Sequence, residues 1–97
     1  MIKSIPFDPA KLIELCCQND VKKLCLFGSM ARGEANAQSD VDLLVEFSQR
    51  KSLLAVVALE RQFSAVFGRE VDLLTEAALS PYLRQRIHQD LQVLYAA

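Results

Sequence analysis

The run DVDLLVEF, Asp40 to Phe47, constrains the fold most, because its polar and apolar residues alternate. At the period of two that a strand imposes, Val41, Leu43, Val45 and Phe47 point to one side. Asp40, Asp42, Leu44 and Glu46 point to the other. The run is therefore predicted to be a strand with one buried face and two aspartates on the opposite face. Residues i and i+2 of a strand have Cα atoms roughly 6.5 Å apart, so Asp40 and Asp42 are spaced to converge on a cation.

The rest of the chain supplies elements to pack around that strand. Asp8 and Pro9 form an N-cap and first-turn pair, and Leu12, Ile13, Leu15 and Cys16 recur at helical spacing, which predicts a helix to about Asn19. A strand is predicted over Val21 to Phe27, ending at Gly28. One helical turn over Met30 to Arg32 and a polar loop over Glu34 to Ser39 lead into Asp40. Ser52 is placed to cap a helix that ends near Phe67, with Gly68 as its stop. Arg69 to Thr75 reads as a third strand. Ser80 and Pro81 open a helix through about Asp90 that carries Leu83 and Ile87 on one face, and the closing LQVLYA either adds an edge strand or extends that helix. Helices interleaved with three or four strands imply an α/β or α+β sandwich, its sheet covered on one face, in a single domain over residues 1–97.

The Ser52–Phe67 helix carries apolar residues over more than half its circumference, beyond the stripe that a helix on a sheet needs. The excess packs either on the helix from Pro81 or on another protein. Glu60 falls inside that arc, where it meets Arg84 or Arg86 or extends out of the contact. His88 and Glu46 read as surface residues, and Tyr82 and Tyr95 as packing or interface residues.

A chain that is 52% hydrophobic and 24% charged has the composition of a compact protein. Its net charge of −1 lacks the basic surplus that extended nucleic-acid binding requires, so no direct nucleic-acid partner is expected. Nucleotides remain possible ligands where metal ions supply the positive charge. No stretch has signal-peptide or membrane-spanning length, and a cytoplasmic location is expected. Three cysteines, without a CxxC pair or a Cys/His cluster, indicate neither a disulfide framework nor a zinc site.

The chemistry lies around Asp40 and Asp42. Paired carboxylates repel one another until a cation neutralises them, and magnesium takes one or two carboxylates together with phosphate oxygens. A two-metal site usually draws on a third carboxylate. Asp72, inside the apolar run Val71-Asp72-Leu73-Leu74, is the natural candidate. Gly28 and Ser29 follow a predicted strand directly, where a glycine lets the backbone approach a phosphate. Arg32 is placed to reach a phosphate or to pair with Glu34.

Gly28-Ser29, ten intervening residues, Asp40-x-Asp42 and then Val71-Asp72-Leu73 resemble the signature of the DNA polymerase beta nucleotidyltransferase superfamily. The short chain and its closing SPYLRQRIHQDLQVLYA resemble the minimal nucleotidyltransferases, MNT-domain proteins paired in bacterial operons with HEPN-domain toxins. The resemblance implies an α+β, palm-like fold with a small mixed sheet covered by helices. It implies that Asp40, Asp42 and Asp72 are catalytic and hold two magnesium ions, with manganese a possible substitute. It also implies that Gly28 and Ser29, with Arg32 beside them, hold the triphosphate of ATP or another nucleoside triphosphate. The implied activity is transfer of AMP to a hydroxyl, such as a tyrosine of a cognate HEPN toxin, which makes the chain an antitoxin. A rival expectation is a binding module that masks its partner without catalysis. Transfer to a small molecule such as an aminoglycoside is disfavoured, because no acceptor domain accompanies the motif.

Overall fold

Each α-helix among the described residues of the computed structural model, which are 8–28, 40–89 and 91–97, begins at a side chain that closes its first turn. Asp8 accepts the Ala10 N–H at 3.0 Å ahead of α1 (Pro9–Gln18). Ser52 accepts the Ala55 N–H at 3.2 Å ahead of α2 (Leu53–Phe67), and Ser80 accepts the Leu83 N–H at 3.1 Å ahead of α3 (Pro81–His88). Caps of this kind satisfy N–H groups that no helical carbonyl reaches, and each is worth about 1 kcal/mol. Gly68 ends α2 in the left-handed region at φ 66°, as a helix stop requires.

Among the described residues, four strands form one sheet: β1 (Val21–Phe27), β2 (Val41–Phe47), β3 (Val71–Thr75) and β4 (Gln92–Ala96), in the order β3-β2-β1-β4. β1 runs antiparallel to both β2 and β4, whereas β2 and β3 are parallel. A parallel pair needs a crossover connection, which α2 supplies. Of the two readings of the closing segment, the edge strand is the one that forms. Leu24 pairs with Tyr95 and Cys25 with Val93, so Leu94 forms a bulge in β4.

Two clusters of buried side chains lie on opposite faces of this sheet. Leu24, Leu26, Val41, Leu43, Val45, Val71 and Leu73 pack under Leu12 and Cys16 of α1 and Leu59, Phe63 and Phe67 of α2. On the other face, Cys25 and Leu44 meet Leu79 and Ile87, with Phe27, Leu74 and Leu91 half-buried around them. Coverage of only one face, as expected from sequence, is therefore corrected: α3 and the 3-10 turn Glu76–Ala78 give the second face a smaller core. The partner of α2 is corrected too. It packs against α1 and β3, because the helix from Pro81 lies on the other side of the sheet. Leu53 and Leu54 at the start of α2 remain 78% and 82% exposed, so the fold does not use the whole of its apolar arc.

Among the described residues, no helix is long and apolar enough to cross a membrane.

Candidate active site

β2 lies between β1 and β3, and its register sets the site. Asp42 is the Cα partner of Phe27 on one side and of Asp72 on the other. Residues paired across a parallel ladder project to the same face, and neighbouring strands lie about 4.8 Å apart. Asp42 and Asp72 are thus adjacent on the α3 face, next in line to Leu44 and Leu74. Asp42 is half-buried and Asp72 exposed. Asp40 is exposed and stands just before β2 rather than inside it, so the predicted strand begins one residue early. The Val41 N–H bonds the Glu70 carbonyl at 2.9 Å, which fixes the starts of β2 and β3 beside one another.

Gly28 closes the site on the β1 side. Its φ of 78° favours glycine, and a Cβ at that position would collide with the Asp42 carboxylate and lie 3.2 Å from its Cγ. The glycine therefore lets the chain turn away from β1 while its backbone stays against Asp42. Ser29 and Arg32, the other predicted phosphate-binding residues, and Glu34 lie outside the described residues.

Among the described residues, no three Asp, Glu, His or Cys side chains are gathered into a group able to hold a metal ion. The strand register brings Asp42 and Asp72 together, with Asp40 just before the start of β2. The cleft of about 420 Å³ lined by Glu46, Phe47, Arg50, Lys51 and Thr75 lies at the opposite ends of β2 and β3, away from the aspartates.

Residues assigned to the surface from sequence are placed accordingly. Glu46 pairs with Lys22 at 3.7 Å, and His88 Nε2 lies 3.2 Å from Glu76 Oε1, which Arg84 also approaches. Tyr82 is exposed beneath the Arg86 guanidinium, and the Tyr95 hydroxyl meets Cys17 Sγ at 3.5 Å. Burial pushes the Cys16 thiol up to about 12, with the neighbouring Cys17 adding to the rise, and burial also raises Cys25. Glu60 requires correction. Its Oε2 accepts the Leu73 N–H at 2.9 Å instead of meeting Arg84 or Arg86. Periodicity places Glu60 on the wheel but does not reveal that β3 lies under that part of it.

Residues 9–94 match the nucleotidyltransferase domain family. The chain belongs to that family. This nucleotidyltransferase is 44% identical over 77 residues to a Methanocaldococcus jannaschii protein provisionally named as a protein adenylyltransferase, a match that covers 79% of this chain and 83% of the relative. It is 37% identical over 71 residues to the protein adenylyltransferase MntA of Thermococcus cleftensis, covering 73% and 72%. Among solved structures, one described provisionally as a minimal nucleotidyltransferase superposes with a TM-score of 0.75 at 33% identity, covering 87% of this chain and 86% of that one. A toxin-antitoxin complex with AMP-PNP contains a chain of the same fold, with a TM-score of 0.79 at 24% identity, covering 93% and 74%. The α+β nucleotidyltransferase fold implied by the sequence motif is the fold observed.

Proposed function

We propose that this nucleotidyltransferase moves AMP from ATP onto a hydroxyl of a partner protein, a tyrosine of a HEPN-domain toxin, and so acts in the cytoplasm as its antitoxin. The observation that carries the chemistry is the Asp42–Asp72 pair in register beside Gly28, an acidic strand face against a backbone able to approach a triphosphate. The choice of a protein acceptor draws on the relatives named protein adenylyltransferases. The choice of toxin draws on a fold neighbour, a tri-AMPylated Shewanella oneidensis HEPN toxin in complex with MNT antitoxin, whose matched chain has a TM-score of 0.70 and is 22% identical.

Adjacent carboxylates without a cation are electrostatically unfavourable, and the donor set is the hard-oxygen set that magnesium prefers. Asp42 and Asp72, which the register already pairs, would hold two magnesium ions together with Asp40 once a cation draws it toward them, and the ions when bound would supply charge compensation for the triphosphate and the developing negative charge. The Gly28 backbone, Ser29 and Arg32 orient the triphosphate so that the α-phosphorus faces the acceptor. The acceptor oxygen bonds to the α-phosphorus, the bond from that phosphorus to the bridging oxygen breaks, and pyrophosphate leaves. Asp72, on the exposed edge strand, takes the hydroxyl proton.

The test is intact mass spectrometry of the partner toxin after incubation with the chain, ATP and magnesium. Added AMP units are expected with the unsubstituted chain and none with the Asp40→Asn, Asp42→Asn variant, which should fold normally but fail to protect cells. An unmodified toxin held in a stable complex, with the double variant still protective, is the outcome that defeats catalysis in favour of masking.

A further inference from the structure

Among the described residues, β3 is an edge strand, bonded to the sheet through β2, yet it carries Asp72. Its outer side is not left open. The N–H groups that flank Asp72 are both bonded to side chains of α2: Leu73 N–H to Glu60 Oε2 at 2.9 Å, and Val71 N–H to Ser64 Oγ at 3.1 Å. Ser64 Oγ also donates to the Glu60 carbonyl at 3.0 Å, which fixes its lone pairs toward β3.

The two spacings match. Four residues of helix rise about 6 Å, and two residues of strand span about 6.6 Å, so a helix running opposite to an edge strand can meet alternate N–H groups with residues i and i+4. Water would satisfy edge N–H groups equally well. A carboxylate on a helix anchored by Leu59, Phe63 and Phe67 adds position, because those neighbours are buried and cannot shift.

We propose that Glu60 and Ser64 are positioning residues for Asp72: together they clamp the backbone on both sides of it and hold its carboxylate in register with Asp42. Neither touches the reacting atoms. The inference rests on the assignment of Asp72 to the site, and it predicts that the clamp matters to the chemical step more than to nucleotide binding. Supporting groups of this kind change metal affinity or activity by about 10- to 100-fold.

The test compares Glu60→Ala with Glu60→Gln, which keeps an acceptor oxygen, and with Ser64→Ala. Hydrogen exchange is read at the Val71 and Leu73 amides, and kcat and KM for ATP are measured with magnesium. Glu60→Ala should speed exchange at Leu73 and lower kcat on the order of tenfold with KM for ATP nearly unchanged, and Glu60→Gln should restore most of both. Ser64→Ala should act likewise through Val71, and it serves if Glu60→Ala does not fold. Unchanged exchange in Glu60→Ala overturns the clamp. Faster exchange with unchanged kcat overturns its positioning role and leaves a structural one. If the unsubstituted chain transfers no nucleotide, the proposed function fails by itself, and the affinity for manganese alone, without nucleotide, replaces kcat as the readout. Weaker binding in Glu60→Ala then supports the clamp, and equal binding overturns it.

Discussion

On the face covered by α1 and α2, the strand residues Leu24, Leu26, Val41, Leu43 and Val45 are fully buried and no polar side chain interrupts them. On the face covered by α3, the corresponding rows begin with Asp42 and Asp72 and only then become apolar at Leu44 and Leu74. The first face can be packed to the density of a crystal because nothing has to enter it. In the proposed reaction the second admits a triphosphate and an acceptor at one end, and α3 contributes only Ile87 to its buried core. One sheet thus separates a fully covered side from the side that bears the paired aspartates.

The comparison predicts unequal costs for truncation. Phe63→Ala, on the fully covered face, should lower unfolding free energy by about 4 kcal/mol in chemical denaturation, and Ile87→Ala, on the face with the site, by about 2 kcal/mol. Equal losses would break the distinction. Gly28→Ala tests the margin between the faces: a left-handed backbone costs a residue with a Cβ about 1–2 kcal/mol, a modest loss in the same assay. Because the added methyl meets the Asp42 carboxylate, nucleotide transfer should fall on the order of a hundredfold, out of proportion to that loss.

The smallest effect sharpens the comparison through thiols, since Cys16 belongs to the first core and Cys25 to the second, while Cys17 is exposed. With Cys16 pushed up to about 12 and Cys25 also raised, both stay protonated and unreactive at pH 8 in the folded chain. Thiol labelling followed by mass mapping should therefore modify Cys17 at once. Cys25 should follow through local opening, and Cys16 should come last. Cys16 reacting before Cys25 would reverse the ranking of the two faces.

Local chemistry was readable wherever a side chain acts on its own neighbours. Asp8, Ser52 and Ser80 announce three helix starts, Gly68 a stop, and the alternation from Val41 to Phe47 the buried side of β2. The motif grouped Asp42 with Asp72, and the strand register makes them neighbours. What alternation cannot encode is adjacency between strands: that β3 lies parallel to β2 with Asp72 opposite Asp42 depends on the α2 crossover. The same long-range choice decides that α2 meets α1, that α3 covers the other face and that Glu60 finds a backbone N–H. Each of these is set by packing between residues far apart in sequence.

The bonds from Glu60 and Ser64 to β3 bear on self-association as well. An open sheet edge is a template on which another chain can add a strand, and proteins blunt such edges with charge, irregular pairing or cover. In this chain the outer N–H groups of Val71 and Leu73 are already taken by a helix that carries a negative charge to the edge. At the far side of the sheet the bulge at Leu94 interrupts the regular repeat of β4. With those two N–H groups occupied, the strand that carries Asp72 is a poorer template for a copy of itself.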